Sequence, residues 1–388
     1  MFHRLIALCT IFLVLFVACS STDSATNPRP EPEPTPDISP TFPELEPKVW
    51  NELDGGGNSV CANGSDYRFF AHEGTLNKLV IDFQGGGACW NGEGCASPYS
   101  KPRPELGFGL YLDRLVVNQE DAAGIYERNN PENPLKDWYH VFIPYCTGDL
   151  HIGDTTQTYT NPFTDEVYSV EHRGAVNTRA VLEWTFENFS APESIFVTGC
   201  SAGSYGAAYW TDAVRKNYPD AAIYQLGDCG AGIISGDLSE QLAQSWNAGK
   251  TLPNTLFDEN AVANAYVDTL GGSDKLKMAQ YNTAFDGTQI FFYAYGEGKL
   301  PISLDTGKEW ADKLTDSLEY IETNTSDFYA FTSSYDDNND LTDGTQHCAI
   351  VHDDFYTVEQ NGVKFRDWLD DYVNGREVRS VKTNLLVP

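Results

Sequence analysis

Residues 194–208 read SIFVTGCSAGSYGAA, and this stretch decides the fold class. Its apolar beginning predicts a strand over 194–198, and its small residues predict a helix from Ala202 onward. The chain's only GxSxG sequence, Gly199 to Gly203, lies between the two. Glycines on both sides of a serine suit a sharp strand-to-helix turn that exposes the hydroxyl. Ser201 is therefore a candidate nucleophile, and the alternative is an idle serine in a glycine-rich turn.

Apolar strand-like runs alternate with helical patterns on both sides of this turn. Further strands are predicted over 79–83, 139–143, 222–226, 277–281 and 328–331, and helices over 171–186, 202–214, 310–321 and 363–373. This alternation is typical of a mainly parallel sheet flanked by helices. Together with the GxSxG turn it predicts an α/β-hydrolase fold, in which the acid and then the histidine of a triad follow the serine.

Two histidines follow Ser201 in the chain. His347 lies in a polar loop after the predicted strand 328–331, where the catalytic histidine of this fold belongs. His352 is followed by two aspartates and suits the solvated start of a helix. A serine hydroxyl needs a neighbouring base to become a good nucleophile, and histidine is the usual one. His347 is therefore the predicted base.

Acidic residues are plentiful between the serine and the histidine, so the residues alone leave the triad acid open. Asp228 ends the strand that follows the elbow helix, and Asp286 follows the strand 277–281. The acid of this fold can follow either strand, so topology permits both.

Gly85-Gly86-Gly87-Ala88 follows the predicted strand 79–83. Bare backbone N–H groups in such a loop, joined by the N–H of Ala202, suit an oxyanion hole. The alternative is a phosphate-binding glycine loop. That alternative is weaker because the lysine of a P-loop and the GxGxxG pattern are both missing.

No cofactor and no metal site is predicted. The cysteines lack a compact CxxC pair, and no histidine cluster lies beside them, so a structural zinc site is not expected. The acidic run 336–340 does not continue as an EF-hand loop, which needs a glycine and a terminal glutamate. We interpret this run as a solvated acidic loop.

The N-terminus predicts export. Arg4 precedes an apolar run over 5–17, and Ala18-Cys19-Ser20 follows that run. The junction between them resembles a bacterial lipobox. We expect a signal peptide over 1–19, a lipid on Cys19, and a location on the bacterial cell envelope or surface. Ordinary signal cleavage is the alternative, because Phe16 is unusual at its position.

A proline-rich segment over 20–47 follows the lipobox-like sequence. Proline fixes φ and removes backbone donors, so the segment predicts a disordered, extended tether. The remaining residues, 48–388, are then one catalytic domain. The chain carries 25 basic and 56 acidic residues, a formal charge of −31. Like charges repel, so nucleic acid is excluded as a partner and membrane contact is expected only through the lipid. We expect a monomer.

Four motifs, in this order, resemble the pectin acetylesterase family, which also contains the animal Notum carboxylesterases. They are Gln84–Trp90, Pro144–Asp149, Gly199–Gly203 and His347-Cys348. The resemblance implies an α/β-hydrolase fold and hydrolysis of carboxylic esters. The ester is an acetyl group on plant polysaccharide, or a fatty acyl group in the Notum branch.

The resemblance also implies roles for individual residues. Members carry an aspartate after a segment like Asn282–Asp286, with a glutamine a few residues on, here Gln289, which favours Asp286 over Asp228. Two features depart from the family: Ser204 replaces a common glycine, and Cys229 matches no family position. The implied set is a triad of Ser201, Asp286 and His347, oxyanion donors Gly86, Gly87 and Ala202, and the bridges Cys61–Cys146 and Cys89–Cys95.

Three cysteines beyond the predicted signal peptide remain after these bridges. Cys200 precedes the predicted nucleophile and Cys348 follows the predicted base. If Ser201 and His347 meet, their neighbours come close enough for a disulfide, so we predict Cys200–Cys348. The competing pair is Cys200–Cys229.

These observations predict a serine carboxylesterase that removes O-acyl groups, first of all O-acetyl groups, through an acyl-enzyme. The expected partner is an acylated extracellular polysaccharide, and the acidic charge favours a neutral one over polyanionic pectin. One alternative is a lipase-like esterase for longer acyl chains, which a large apolar pocket beside Ser201 would favour. Another is a non-catalytic carbohydrate-binding protein on the same fold.

Overall fold

An eight-stranded sheet forms the centre of the protein. The computed structural model describes residues 40–96, 122–272, 274–334 and 346–383. Its strands are β1 Trp50–Asp54, β2 Arg68–His72, β3 Lys78–Phe83, β4 Tyr139–Ile143, β5 Thr155–Thr160, β6 Val167–His172, β7 Ser194–Cys200, β8 Ala222–Asp228, β9 Leu276–Thr283, β10 Phe328–Ser333, β11 Glu359–Gln360 and β12 Val363–Lys364.

The central sheet has the order β1-β2-β4-β3-β7-β8-β9-β10. Its six strands from β4 to β10 are parallel, whereas β1 and β2 extend one edge as antiparallel strands. The hairpins β5–β6 and β11–β12 lie outside this sheet. The mainly parallel sheet predicted from the sequence is therefore confirmed.

Helices connect and cover the parallel strands. They are α1 Gly92–Ala96, α2 Gly174–Asn188, α3 Ala202–Asn217, α4 Gly236–Trp246, α5 Ala248–Thr251, α6 Ala261–Leu270, α7 Gly287–Gly296, α8 Leu304–Asn324 and α9 Phe365–Val373. Short 3₁₀ helices lie at Gly124–Tyr126 and Asp353–Tyr356. None of these helices is long and apolar enough to cross a membrane.

Both faces of the sheet are buried, which explains why its strands are almost continuously apolar. Successive side chains of a strand point to opposite faces. In β3, Leu79 and Ile81 accordingly join the core that contains Trp310 of α8, whereas Val80 joins the core that contains Leu369 of α9. Because the six strands are parallel, their carboxyl ends meet at one edge, where ligand sites of open α/β sheets are found.

The described part of the folded domain begins before residue 48. The backbone N–H of Thr41 donates to the Ser190 hydroxyl at 2.9 Å, and the backbone N–H of Ser190 donates to the Thr41 carbonyl at 3.4 Å. The ring of Phe42 stacks on Tyr139 at 4.7 Å between centroids. The last residues of the predicted tether thus pack on the domain, because Phe42 buries part of its ring there. Residues 1–39, with the predicted lipidation site Cys19, lie outside the described residues, as does the acidic run 336–340.

The described part of the chain contains two disulfides, Cys61–Cys146 and Cys89–Cys95. Both were predicted. The third predicted bridge, Cys200–Cys348, is not formed, and neither is its competitor Cys200–Cys229, because all three cysteines are free thiols. The Cys348 thiol lies in hydrogen-bonding contact with both other thiols and reaches the Asp228 carbonyl at 3.9 Å. It is therefore shared among several neighbours rather than bonded to one sulfur.

Candidate active site

Ser201 occupies a strained turn between β7 and α3. Its φ of 54° and ψ of −122° are rare for a residue with a side chain. The turn is held by the Ser201 N–H, which donates to the carbonyl of Asp228 at 2.7 Å. Glycine is required at Gly203, because a Cβ there would lie 1.8 Å from the carbonyl oxygen of Phe83. The close approach of α3 to β3 therefore explains the second glycine of the motif.

The glycine loop after β3 packs directly against this turn. A Cβ on Gly85 would lie 2.5 Å from the Cys200 carbonyl oxygen and 3.0 Å from Cβ of Ser201. Gly87 has a left-handed φ of 77°, and its carbonyl accepts the Tyr145 hydroxyl at 2.9 Å. The Tyr145 hydroxyl in turn accepts the N–H of Leu150 at 2.9 Å. The Tyr145 hydroxyl therefore holds the glycine loop through its hydrogen bond to Gly87.

Two of the three predicted oxyanion donors line one cavity. Gly87 and Ala202 line it together with Ser201. Gly86 adjoins Gly87 and lies over the Tyr145 ring, since a Cβ there would be 2.9 Å from that ring. Backbone N–H groups fixed in this way can stabilise a developing oxyanion without reorganising.

Asp286 begins α7 and is completely buried. Its Oδ1 accepts the N–H groups of Thr288 and Gln289, each at 3.0 Å, so it is also the N-cap of the helix. Its Oδ2 accepts the Gln289 side-chain amide at 3.0 Å and Nδ1 of His347 at 2.8 Å. A carboxylate fixed by this many donors sets both the tautomer and the orientation of the imidazole.

His347 lies in the loop between β10 and α9, and hydrogen bonds on both sides fix that loop. The carbonyl of Gln346 accepts the Thr283 hydroxyl at 2.6 Å. The N–H groups of Ala349 and Ile350 donate to Oδ2 of Asp228, at 2.8 and 2.9 Å. Asp286 therefore hydrogen-bonds the His347 side chain, whereas Asp228 hydrogen-bonds the backbone of the loop that carries His347.

His347 and Ser201 line the same cavity. Among the described residues, no group forms a hydrogen bond with Nε2 of His347, and this includes the Ser201 hydroxyl. Catalytic hydrogen bonds are often long in unliganded enzymes and shorten when substrate binds. His352 lies outside the cavity and precedes the 3₁₀ helix Asp353–Tyr356, as expected for the solvated start of a helix.

Two groups of the site, the His347 imidazole and the Asp228 carboxyl, have pKa values that differ from their usual values. Burial lowers the pKa of His347, but the charge and hydrogen bond of Asp286 outweigh it and raise the pKa well above its usual value. The neighbouring Cys229 thiol adds to this rise. Burial raises the pKa of the Asp228 carboxyl to about 6, against the opposing effect of its two N–H donors.

The cavity beside Ser201 is mostly apolar. It encloses about 600 Å³ of empty space, part of it open to solvent. A second cavity, with about 370 Å³ of empty space including open solvent, adjoins the first and shares the lining residues Leu150, Tyr205, Ile234 and Leu242. The other apolar residues of the first cavity include Trp90, Ile233, Leu238 and Phe292.

Comparisons with known proteins concern the sequence family and the fold of the chain. A family model described as Pectinacetylesterase matches residues 53–261. Human palmitoleoyl-protein carboxylesterase NOTUM is 27% identical over 181 residues, which cover 44% of this chain and 34% of the human protein. Pectin acetylesterase 11 of Arabidopsis thaliana is 24% identical over 272 residues, 65% of this chain and 64% of the plant protein. The matches thus span about a third and slightly less than two thirds of these relatives.

A solved structure gives the same fold. The Wnt deacylase Notum from Drosophila aligns with a TM-score of 0.62 at 18% identity, over 86% of this chain and 97% of that one. The α/β-hydrolase fold predicted from the sequence is therefore confirmed. Since the family model also covers more than half of the sequence, this chain belongs to the pectinacetylesterase family.

Proposed function

We propose that this chain is a serine carboxylesterase with Ser201 as nucleophile, His347 as general base and Asp286 as the residue that orients the histidine. The observation that carries the proposal is the 2.8 Å hydrogen bond between Asp286 and Nδ1 of His347, in a cavity that also contains Ser201. The strained backbone of Ser201 supports it, because such strain is typical of a nucleophile held at a sharp turn.

In the proposed reaction, Nε2 of His347 takes the proton of Ser201 while the serine oxygen attacks the ester carbonyl. The N–H groups of Gly86, Gly87 and Ala202 bind the oxyanion that forms. The histidine then protonates the leaving alcohol, which leaves an acyl group on the serine. A water molecule, deprotonated by the same histidine, hydrolyses this acyl-enzyme and restores the free hydroxyl.

Two acyl groups are candidates. The first is an O-acetyl group on an extracellular polysaccharide, which the relative named pectin acetylesterase supports. The second is a longer acyl chain, which the relatives named palmitoleoyl-protein carboxylesterase support. The apolar lining of the cavity favours the second, because a longer acyl chain can contact more of these side chains than an acetyl methyl group can.

A chain-length series tests both the reaction and the acyl group. Hydrolysis of p-nitrophenyl esters from acetate to decanoate is measured alongside acetate release from neutral acetylated polysaccharides and from pectin. Ser201→Ala is the control, and we expect it to fold normally and to lose activity by about 10⁶-fold, as serine triads do. Near-normal turnover in that variant would end the proposal. A maximum at chains longer than acetate supports the second candidate.

A further inference from the structure

Three thiols that the proposed reaction does not use lie beside the candidate active site. Cys200 ends β7, Cys229 follows β8, and Cys348 follows His347. All three are free, and Cys229 and Cys348 are almost completely buried. Cys229 nevertheless lines the cavity that contains Ser201, so a small solute in that cavity can reach it.

Two of these thiols form a compact group with the histidine. Ligand atoms of Cys229, His347 and Cys348 all lie within 4.8 Å of one another. In a tetrahedral Zn²⁺ site, with sulfur at about 2.3 Å and nitrogen at about 2.0 Å from the metal, two ligand atoms lie about 3.5 to 3.8 Å apart. The three side chains therefore have to approach one another by up to about 1 Å to enclose an ion. Cys200 contacts the Cys348 thiol from outside this group.

The histidine is oriented as a metal-binding imidazole would be. Its Nδ1 donates to the buried carboxylate of Asp286, and Nε2 has no hydrogen-bond partner among the described residues. Histidines that bind zinc through one nitrogen commonly donate the other N–H to a carboxylate, which fixes the ring. Two thiolates and one imidazole suit Zn²⁺ and the softer Cd²⁺ better than Mg²⁺ or Ca²⁺.

We propose that Cys229, Cys348 and Nε2 of His347 form a binding site for one thiophilic divalent cation, Zn²⁺ or Cd²⁺, and that the bound ion inhibits the esterase. Binding releases one proton from each thiol, and the resulting thiolates and the neutral imidazole hold the metal. Inhibition follows because the metal occupies the lone pair with which His347 would accept the serine proton. Only this inhibition rests on the proposed function, since metal binding needs no catalysis.

Metal binding is tested first, with Cd²⁺ as the probe. The full chain is purified anaerobically and without reductant, so that Cys61–Cys146 and Cys89–Cys95 stay closed while the three free thiols stay reduced. Equilibrium dialysis and the ultraviolet charge-transfer absorption of the Cd–thiolate bond measure stoichiometry. We expect one Cd²⁺ per chain in the wild type and in Ser201→Ala, and at least tenfold weaker binding in Cys229→Ala and Cys348→Ala. Cys200→Ala is the matched control and keeps the stoichiometric site. Equal binding by wild type and Cys229→Ala, or loss confined to Cys200→Ala, overturns the ligand set.

Inhibition is tested second, by ester hydrolysis. Stoichiometric Cd²⁺ should abolish wild-type turnover, and EDTA should restore it. Inhibition of Cys229→Ala is measured relative to that variant's own metal-free turnover. Half inhibition should need at least tenfold more Cd²⁺ than in the wild type, with circular dichroism confirming the fold. Turnover that persists in the Cd²⁺-loaded wild type refutes the inhibition. If the protein hydrolyses no ester at all, the proposed function fails, whereas Cd²⁺ binding by Ser201→Ala still decides the site.

Discussion

The backbone carbonyl of Asp228 accepts a hydrogen bond from the backbone N–H of Ser201 at 2.7 Å. The same residue uses its carboxylate to accept the N–H groups of Ala349 and Ile350, just after His347. One buried aspartate therefore positions both the turn that carries the proposed nucleophile and the loop that carries the proposed base. It does so without touching the imidazole nitrogen that Asp286 binds.

Because the two aspartates have different partners, their substitution should have different effects. Asp286→Asn should lower kcat by about 10⁴-fold, because loss of the orienting carboxylate has that effect in a serine triad. Asp228→Asn keeps a carbonyl oxygen for the loop N–H groups and should cost far less activity. Steady-state ester hydrolysis measures both, with thermal unfolding as the check on folding. A well-folded Asp228→Asn that is the more damaged variant would contradict our assignment of the acid.

The pH dependence should reflect the raised pKa of His347. A general base must be neutral, so activity should fall as the pH drops through the pKa of this histidine. Since Asp286 raises that pKa, the acidic limb of kcat/KM should have its midpoint above about 6.5, the usual histidine value. In Asp286→Asn the residual activity should show this limb at lower pH. A wild-type midpoint below that value, or no movement in the variant, would speak against the pairing.

The parallel strands could be predicted because burial on both faces makes each a continuous apolar run. The hairpin β5–β6 was missed, since its strand TTQTYT is polar and carries no such signal. Helix α4 was missed for a similar reason, because GDLSEQLAQSW has few apolar residues and lies on the wall of the cavity.

Local motifs indicated Ser201 and His347, but the acid could not be chosen from the residues alone. Asp228 ends one parallel strand and Asp286 follows another. The family resemblance favoured Asp286, and the side-chain partners in three dimensions distinguish the two residues. The group of Cys229, Cys348 and His347 had no sequence signal either, since Cys229 lies more than a hundred residues before the adjacent pair His347 and Cys348. The role of Tyr145 in holding Gly87 was missed because it depends on a hydroxyl contact across the sheet edge.

The N-terminal sequence makes a separate prediction. If the chain is exported and anchored, Cys19 should carry a lipid, and the two disulfides fit an oxidising compartment. Labelled palmitate should enter the wild-type protein in its host and should not enter Cys19→Ala. The Cys19→Ala protein should also leave the membrane fraction. Equal labelling of the two proteins would rule out an anchor at this cysteine.

The apolar cavities predict how acyl-chain preference can be changed. Ile234 lines both cavities, at the boundary between them. Ile234→Trp should fill part of this space and close the path from Ser201 into the second cavity. Hydrolysis of p-nitrophenyl decanoate should fall at least tenfold, because a long chain then has no room, while hydrolysis of the acetate ester should change less than twofold. Val167→Trp is the matched control, since Val167 is 65% exposed on β6 and lines neither cavity. Equal losses on both esters in Ile234→Trp would mean that the acyl chain does not occupy these cavities.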